Sequence, residues 1–138
     1  MEPPAIQYSA TRQPTIEEIL PLYRANQWSS ADKPDVLHKG LLASDSLVTA
    51  WDGEQLVGLG NAISDGHLVV YYPHLLVWPK FHGRGIGTGL MRLLMDKYAG
   101  LHQQMLVADG RAIEFYRKCG FERAGQTAAM WIYAGDDH

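Results

Sequence analysis

The chain has 138 residues, of which 46% are hydrophobic and 20% charged, and its net charge is −3. This length fits one domain with its own core, and no apolar run approaches the roughly 18 residues that a membrane span needs. The basic residues form no continuous stripe, so neither a membrane nor a nucleic acid is an expected partner.

Hydrophobic periodicity and turn signals predict ten secondary-structure elements. In chain order they are a strand over Ile6–Ser9, helices over Thr15–Ala25 and Asp35–Ala43, strands over Leu47–Trp51, Gln55–Ile63 and His67–Val77, a helix over Ile86–Tyr98, a strand over Gln104–Ala108, a helix over Ala112–Cys119 and a closing strand over Met130–Tyr133. Pro73 cannot donate to a strand ladder and predicts a bulge in the third long strand. This order predicts a single α/β domain over residues 1–138.

A glycine-rich turn follows the apolar run Leu75–Val77. Four glycines stand at alternate positions across the start of a predicted helix, at Gly83, Gly85, Gly87 and Gly89. Glycine lets a phosphate approach main-chain N–H groups, and a helix N-terminus attracts anions. Three basic residues and no acidic one lie between Lys80 and Arg92. The turn therefore predicts a phosphorylated cofactor.

Two well-known phosphate-binding loops are excluded. No glycine precedes a Lys-Ser or Lys-Thr pair, as a P-loop requires. A dinucleotide fingerprint G-x-G-x-x-G would need its third glycine at Thr88 or Leu90. That fingerprint should also stand at the first turn of a βαβ unit, whereas this turn lies past the middle of the chain. The turn must therefore belong to another class of phosphate-binding loop.

Two motifs in the second half resemble signatures of the GCN5-related N-acetyltransferase (GNAT) family. Val77–Gly87, VWPKFHGRGIG, is similar to the acetyl-CoA loop, and Asp109–Phe121, DGRAIEFYRKCGF, is similar to the second signature, at the family's usual separation. One position departs, because His82 stands where the family has Gln or Arg. The resemblance implies the GNAT fold, a mixed, mostly antiparallel, splayed sheet flanked by helices, with acetyl-CoA as the cofactor.

The resemblance also implies which residues hold acetyl-CoA. A strand end pairs with the pantetheine amides, main-chain N–H groups of the loop take the pyrophosphate, and an arginine adds positive charge. The implied cofactor residues are Leu76, Val77, His82, Gly83, Arg84, Gly85, Ile86, Gly87, Thr88, Gly89 and Asp109. His82 either caps the loop, contacts phosphate or is a plain loop residue, and Asp109 either caps the following helix or bonds to the pantetheine arm.

Direct attack of an amine on a thioester requires a proton acceptor for the amine and a donor for the departing thiolate. By resemblance Tyr116 is the donor, since its family position lies near the cofactor sulfur. The preceding strand, VVYYPHLLV, contains no carboxylate. We therefore expect His74 to be the base, with an imidazole pKa near the ordinary value of ~6.5. A purely structural role stays open for both side chains, and no metal is expected.

The acceptor site is expected to include Trp28, which lies between the two helices that wall this site in the family, together with Tyr71 and Tyr72. For the two tyrosines a packing role stays open. The run ADGRAIEFYRKCGF from Ala108 is also similar to arylalkylamine acetyltransferases. The acidic N-terminal half, with nine acidic and four basic residues through Gly66, suits a cationic acceptor. An arylalkylamine and a polyamine both stay open.

The sequence thus predicts an acetyl-CoA-dependent N-acetyltransferase that acts on the primary amine of a small molecule. Cys119 is the single cysteine, which excludes an internal disulfide and suits a reducing cytoplasm. The N-terminal stretch has no apolar run of signal-peptide length. A homodimer stays open, and a non-catalytic acyl-CoA-binding or regulatory module is the alternative function.

Overall fold

The computed structural model describes residues 5–137, which contain six β-strands and four α-helices. The strands are β1 (Gln7–Ser9), β2 (Ser46–Asp52), β3 (Gln55–Ser64), β4 (Val69–Tyr71), β5 (Leu75–Val77) and β6 (Gln103–Met105). The helices are α1 (Ile16–Ala25), α2 (Pro34–Leu42), α3 (Ile86–Lys97) and α4 (Ile113–Lys118), with short 3₁₀ helices at Ser29–Asp32 and Pro79–Phe81. All four predicted helices are confirmed, with ends that lie within about one residue of those predicted.

The six strands form one mixed, mostly antiparallel sheet in the order β1-β2-β3-β4-β6, and β5 pairs separately with β3. β4 and β6 are the parallel pair, with Val69 opposite Gln103 and Tyr71 opposite Met105. Since β5 pairs with β3 and β6 pairs with β4, the sheet opens between β5 and the chain that follows β6. This is the splayed α/β architecture that the resemblance implies.

The strand predicted over His67–Val77 is divided into β4 and β5 by a break at Tyr72–His74. Pro73 lies in the break, and it has no N–H to offer to a strand ladder. Before the break β4 is paired with both β3 and β6, and after it β5 is paired with β3. β6 is also shorter than predicted, because it stops at Met105, where its partner β4 stops. The splay of the sheet begins where the pairing with β6 ends.

The two faces of the sheet carry separate cores. α1 and α2 cover one face, where the buried residues are Ile19, Leu22, Tyr23, Ala31, Leu37, Leu41, Trp51, Leu56, Leu59 and Leu76. α3 covers the other face and lies directly on β3, because Gly58 and Gly60 leave room for it. A Cβ at Gly58 would lie 3.0 Å from Leu90 Cδ1, and one at Gly60 would lie 3.0 Å from Leu94 Cδ1. The position of α3 is therefore determined by the interior of the sheet.

The N-termini of α1 and α3 differ. α1 begins with a capping box, in which the Glu18 N–H donates to Thr15 Oγ1 (3.2 Å) and the Thr15 N–H donates to Glu18 Oε1 (2.9 Å). α3 has Gly85 at its N-cap position, and no side chain caps it. The Glu18 N–H of α1 is therefore satisfied by the capping side chain, whereas the first N–H groups of α3 remain available to a ligand.

The closing strand predicted over Met130–Tyr133 is absent, so that prediction is wrong. Residues 121–137 contain neither helix nor strand, and Ile132 is fully exposed. Trp131 stacks on Tyr133 instead, with ring centroids 4.3 Å apart. The end of the segment is held by Ser29, in the connection between α1 and α2, rather than by the edge of a strand. A strand requires a paired edge, and this segment has none.

Candidate functional site

The N-terminus of α3 is open at the end of the glycine-rich turn. Gly83 and Gly85 adopt φ values of 81° and 78°, in the left-handed region that favours glycine. Nothing lies within 4 Å of a Cβ built at either residue. The first helical bond runs from the Gly89 N–H to Gly85 O (3.0 Å), so the N–H groups of residues 86–88 have no acceptor within the helix. We call these three N–H groups the anion seat, since they suit a pyrophosphate.

The other two glycines of the turn permit close packing. A Cβ at Gly87 would lie 3.1 Å from Phe115 Cζ of α4 and 3.9 Å from Val77 Cγ2 of β5. A Cβ at Gly89 would lie 2.8 Å from Tyr8 Oη of β1. Glycine at position 87 therefore lets α3, α4 and the end of β5 meet at the anion seat.

The remaining loop residues either support the turn or face solvent. His82 Nε2–H donates to Val77 O (2.9 Å), which ties the loop to the end of β5 and supports the capping alternative for this residue. Arg84 is exposed and its guanidinium lies 4.8 Å from the centre of the Phe81 ring. The Ile86 side chain is buried under α3, and the Thr88 side chain is exposed. The exposed arginine adds positive charge beside the anion seat.

The register of β5 determines which main-chain groups face the open side of the sheet. The main-chain bonds at Trp78 and His74 both run to β3. Hydrogen-bonded pairs alternate in an antiparallel ladder, so the N–H and C=O of Leu76 also face β3. Leu75 and Val77 present theirs to the opening. The main-chain groups at this edge are therefore those of Leu75 and Val77 rather than those of Leu76, which the sequence does not reveal because the strand register is not visible in it.

Tyr116 lies half-buried on α4, next to the residue that contacts Gly87. Its ring packs edge-to-face on Phe115 and Phe121, with centroids 5.0 and 6.1 Å away. Burial, with a smaller effect from Cys119, raises the pKa of Tyr116 to about 12. Within residues 5–137 its hydroxyl makes no hydrogen bond. At neutral pH this side chain is therefore a protonated hydroxyl, available to a ligand.

His74 lies at the start of β5 in a cluster that the sequence did not predict. Its Nδ1 is 2.7 Å from Tyr23 Oη, its main-chain N–H donates to Asn61 Oδ1 (2.9 Å), and its ring is 5.0 Å from that of Trp28. Burial lowers the pKa of His74 to about 4, and the negative charge of Asp137 opposes this shift. The pKa of His74 is therefore not the ordinary imidazole value that the sequence leads us to expect. The ring is neutral throughout the physiological range.

Trp28 reaches His74 because of the way α1 ends. Gln27 has a φ of 60°, which is unusual for a residue other than glycine. This conformation turns the chain back, so that the Trp28 N–H donates to Tyr23 O (3.1 Å). The Trp28 and Tyr23 rings then pack edge-to-face, 5.7 Å apart. The structure thus brings together Trp28 and His74, two of the site residues that the sequence predicts.

Three other predicted site residues lie in different surroundings. Tyr72 is 4% exposed and its hydroxyl donates to Gln104 Oε1 (2.6 Å), so it packs in the core and offers no surface to an acceptor. Tyr71 is exposed on β4, in register with Ile63. Asp109 Oδ1 accepts from the Arg111 N–H (3.0 Å), which supports the turn that precedes α4.

Two absences within residues 5–137 concern the class of site. No three His, Cys, Asp or Glu side chains in this part of the chain lie together as metal ligands would. None of the helices described is long and apolar enough to cross a bilayer.

Known proteins share this architecture. The family described as "Acetyltransferase (GNAT) domain" matches residues 43–123. A GNAT-family acetyltransferase of Streptococcus pneumoniae TIGR4 is 28% identical, with a TM-score of 0.82 over 94% of this chain and 99% of that one. AAC(6')-Iy, solved with a CoA-S-monomethyl-acetylneamine bisubstrate analogue, is 16% identical and shares the fold, with a TM-score of 0.71 over 94% of this chain and 99% of that one.

Sequence relatives agree with the structural ones. The histone acetyltransferase TAP1 of Glycine max is 34% identical over 73 residues, which are 50% of this chain and 31% of that protein. The chain thus spans about a third of the length of this curated relative. The family match covers more than half of the chain, and the structural match covers nearly all of it. The chain therefore belongs to the GNAT family of acetyltransferases.

Proposed function

We propose that this protein transfers an acetyl group from acetyl-CoA to the primary amine of a small molecule in the cytoplasm. The observation that carries the proposal is the anion seat at the start of α3, which lies open beside the free edge of β5 and against α4. A phosphorylated cofactor with an extended, amide-bearing arm fits this arrangement. When bound, acetyl-CoA supplies a thioester whose acetyl group an amine can take.

Residues on three elements bind this cofactor in the proposal. The N–H groups of the anion seat receive the pyrophosphate, and the charge of Arg84 complements it. The main-chain groups of Leu75 and the N–H of Val77 extend the edge of β5 toward the pantetheine amides. Val77 O already accepts from Asn26 Nδ2 (3.1 Å) and from His82. These two bonds support the end of the strand rather than the ligand.

Tyr116 donates a hydrogen bond or a proton to the departing sulfur in the proposal. With its pKa raised to about 12, the hydroxyl remains protonated at the pH of the cytoplasm. α4 holds this hydroxyl group's residue next to Phe115, which packs against Gly87 close to the end of β5. A neutral phenol without another partner in the described chain suits this role.

His74 orients the attacking amine in the proposal. Because its pKa is lowered to about 4, it is a weak base but a good hydrogen-bond acceptor at neutral pH. If Nδ1–H donates to the Tyr23 hydroxyl oxygen, the lone pair on Nε2 is free to accept from the amine. The amine's proton then passes to solvent. Trp28 lies edge-to-face with the same ring and contributes an apolar wall for the acceptor.

The proposal is tested by measuring free thiol released from acetyl-CoA. The acceptors are arylalkylamines, polyamines, aminoglycosides, free amino acids and, because a relative is named a histone acetyltransferase, a lysine-containing histone peptide. We expect release with a small amine, arylalkylamine or polyamine. Calorimetric binding of acetyl-CoA without thiol release for any acceptor would contradict the proposal and favour a non-catalytic acyl-CoA-binding module.

A further inference from the structure

The C-terminal segment, residues 122–137, connects the two sides of the candidate site. It leaves the core at Phe121, whose ring packs against Tyr116 and Tyr72 with centroids 6.1 and 6.2 Å away. It ends at Asp137, which is bound to Ser29, the residue that follows Trp28. One irregular segment therefore begins beside the candidate proton donor and ends beside the residue that contacts His74.

The end of the segment is held by three hydrogen bonds to one carboxylate. Ser29 Oγ donates to Asp137 Oδ1 (2.6 Å), the Ser29 N–H donates to Oδ2 (3.3 Å), and the Tyr133 hydroxyl donates to Oδ1 (2.8 Å). We call these three residues the clasp. The Ser29 side chain is the main cause that lowers the pKa of Asp137 to about 2, so the carboxylate is charged at neutral pH. Charge-assisted bonds of this kind are stronger than neutral ones.

Gly135 is an independent sign that the clasp is closely packed. A Cβ at this position would clash with Ser29 Oγ and would lie 2.5 Å from Tyr133 Cε2. A side chain at this position would have to displace the Ser29 hydroxyl or the Tyr133 ring, both of which bind Asp137. The close approach therefore depends on glycine as well as on the carboxylate.

We propose that residues 131–137 form the outer wall of the acceptor site and that the clasp sets the position of this wall against Trp28 and His74. The clasp bonds to the residue next to Trp28, so it also limits the movement of that ring. The negative charge of Asp137 raises the pKa of His74 slightly against the effect of burial, as a carboxylate on that side of the ring would. Ser29, Tyr133 and Asp137 are thus positioning residues that affect which amines are accepted. This inference rests on the proposed transfer to an amine.

The clasp itself is tested by ¹⁵N relaxation, which does not depend on activity. Heteronuclear NOE values for residues 131–137 are compared among the parent and the variants Ser29→Ala, Asp137→Ala and Gly135→Ala. We expect ordered values in the parent and a fall toward those of a free tail in all three variants. The control is Asp136→Ala, which removes one charge from the neighbouring residue and should behave as the parent. A tail that is already free in the parent, or unchanged in the variants, would overturn the clasp.

The wall is tested by steady-state kinetics on the same proteins. With the best amine of the acceptor panel, the KM for that amine should rise about five- to tenfold in Ser29→Ala, Asp137→Ala and Gly135→Ala, each of which removes or displaces charge-assisted hydrogen bonds of the clasp. The KM for acetyl-CoA and its calorimetric affinity should stay as in the parent. If a variant has a mobile segment by NOE, still releases thiol and keeps the parent's KM for the amine, the proposed wall is wrong while the clasp and the proposed function stand. A parent that releases no thiol with any amine would overturn the proposed function, and the wall with it.

Discussion

Tyr116 and His74 have pKa values displaced in opposite directions, and burial is the main cause of both shifts. Burial favours the neutral form of each group, so it raises the pKa of the phenol and lowers that of the imidazole. At neutral pH the phenol is a protonated donor, and the imidazole is neutral, with one N–H and one nitrogen that can accept. At the scale of single residues, both candidate side chains are therefore uncharged at neutral pH.

Removing the Tyr116 hydroxyl should affect the chemical step. Tyr116→Phe keeps the ring between Phe115 and Phe121, so the fold and cofactor binding should remain. We expect kcat to fall by about 10²-fold, which is typical for the loss of one positioned proton donor, with little change in KM. Calorimetric affinity for acetyl-CoA provides the control. A variant with the parent's kcat would show that this tyrosine only packs.

The lowered pKa of His74 predicts a loss of stability in acid. The pKa of this group is about 4 in the folded protein and ~6.5 in an unfolded chain. Its contribution is therefore complete above pH ~6.5 and is lost as the pH falls toward 4, by up to about 3 kcal/mol. Denaturant unfolding from pH 7.5 to 4 measures the effect. The variant His74→Gln, which cannot titrate, should lose less stability over this range than the parent, and parallel curves would contradict the shift.

At the scale of elements, α3 joins the core to the anion seat. A substitution at Gly87 would affect both the packing of the core and the anion seat, because a Cβ there would lie against Phe115 of α4. We expect Gly87→Glu to displace α4 and to bring a negative charge to the seat, so that calorimetry detects no binding of acetyl-CoA while the protein stays folded. Gly40→Glu is the matched control, since nothing lies within 4 Å of a Cβ at that position of α2. Equal affinities in the two variants would contradict the assignment of the seat.

The capping box of α1 should contribute to stability without affecting cofactor binding. Thr15→Ala removes the side chain that accepts from the Glu18 N–H, and we expect a loss of about 1 kcal/mol in the free energy of unfolding. Thr11→Ala is a suitable control, because that exposed side chain caps no helix. The comparison requires denaturant unfolding of both variants. If Thr15→Ala is no less stable than Thr11→Ala, the box contributes nothing measurable.

For the molecule as a whole, the sequence reveals those parts of the site that lie in continuous segments. The glycine-rich turn and the segment around Tyr116 each carry their pattern within about a dozen residues, so the family and its helices could be predicted. The cluster of Tyr23, Asn61 and His74 combines distant parts of the chain and has no local pattern. The register that places Leu75 at the opening depends on pairing across strands. The strand predicted at Met130–Tyr133 failed because β-forming residues need an edge to pair with.

The residues proposed to bind the cofactor and several of those proposed to surround the amine lie in different parts of the chain, which bears on how the choice of amine could change. The anion seat, Tyr116 and the free edge of β5 all lie within residues 43–123, the stretch that matches the family. Tyr23, Trp28, Ser29 and Asp137 lie outside it, toward the two ends of the chain, and the Ser29–Asp137 bond holds those ends together. In the proposed function, changes at the two ends of the chain would therefore alter the surroundings of the amine together, whereas the anion seat, Tyr116 and His74 would stay as they are.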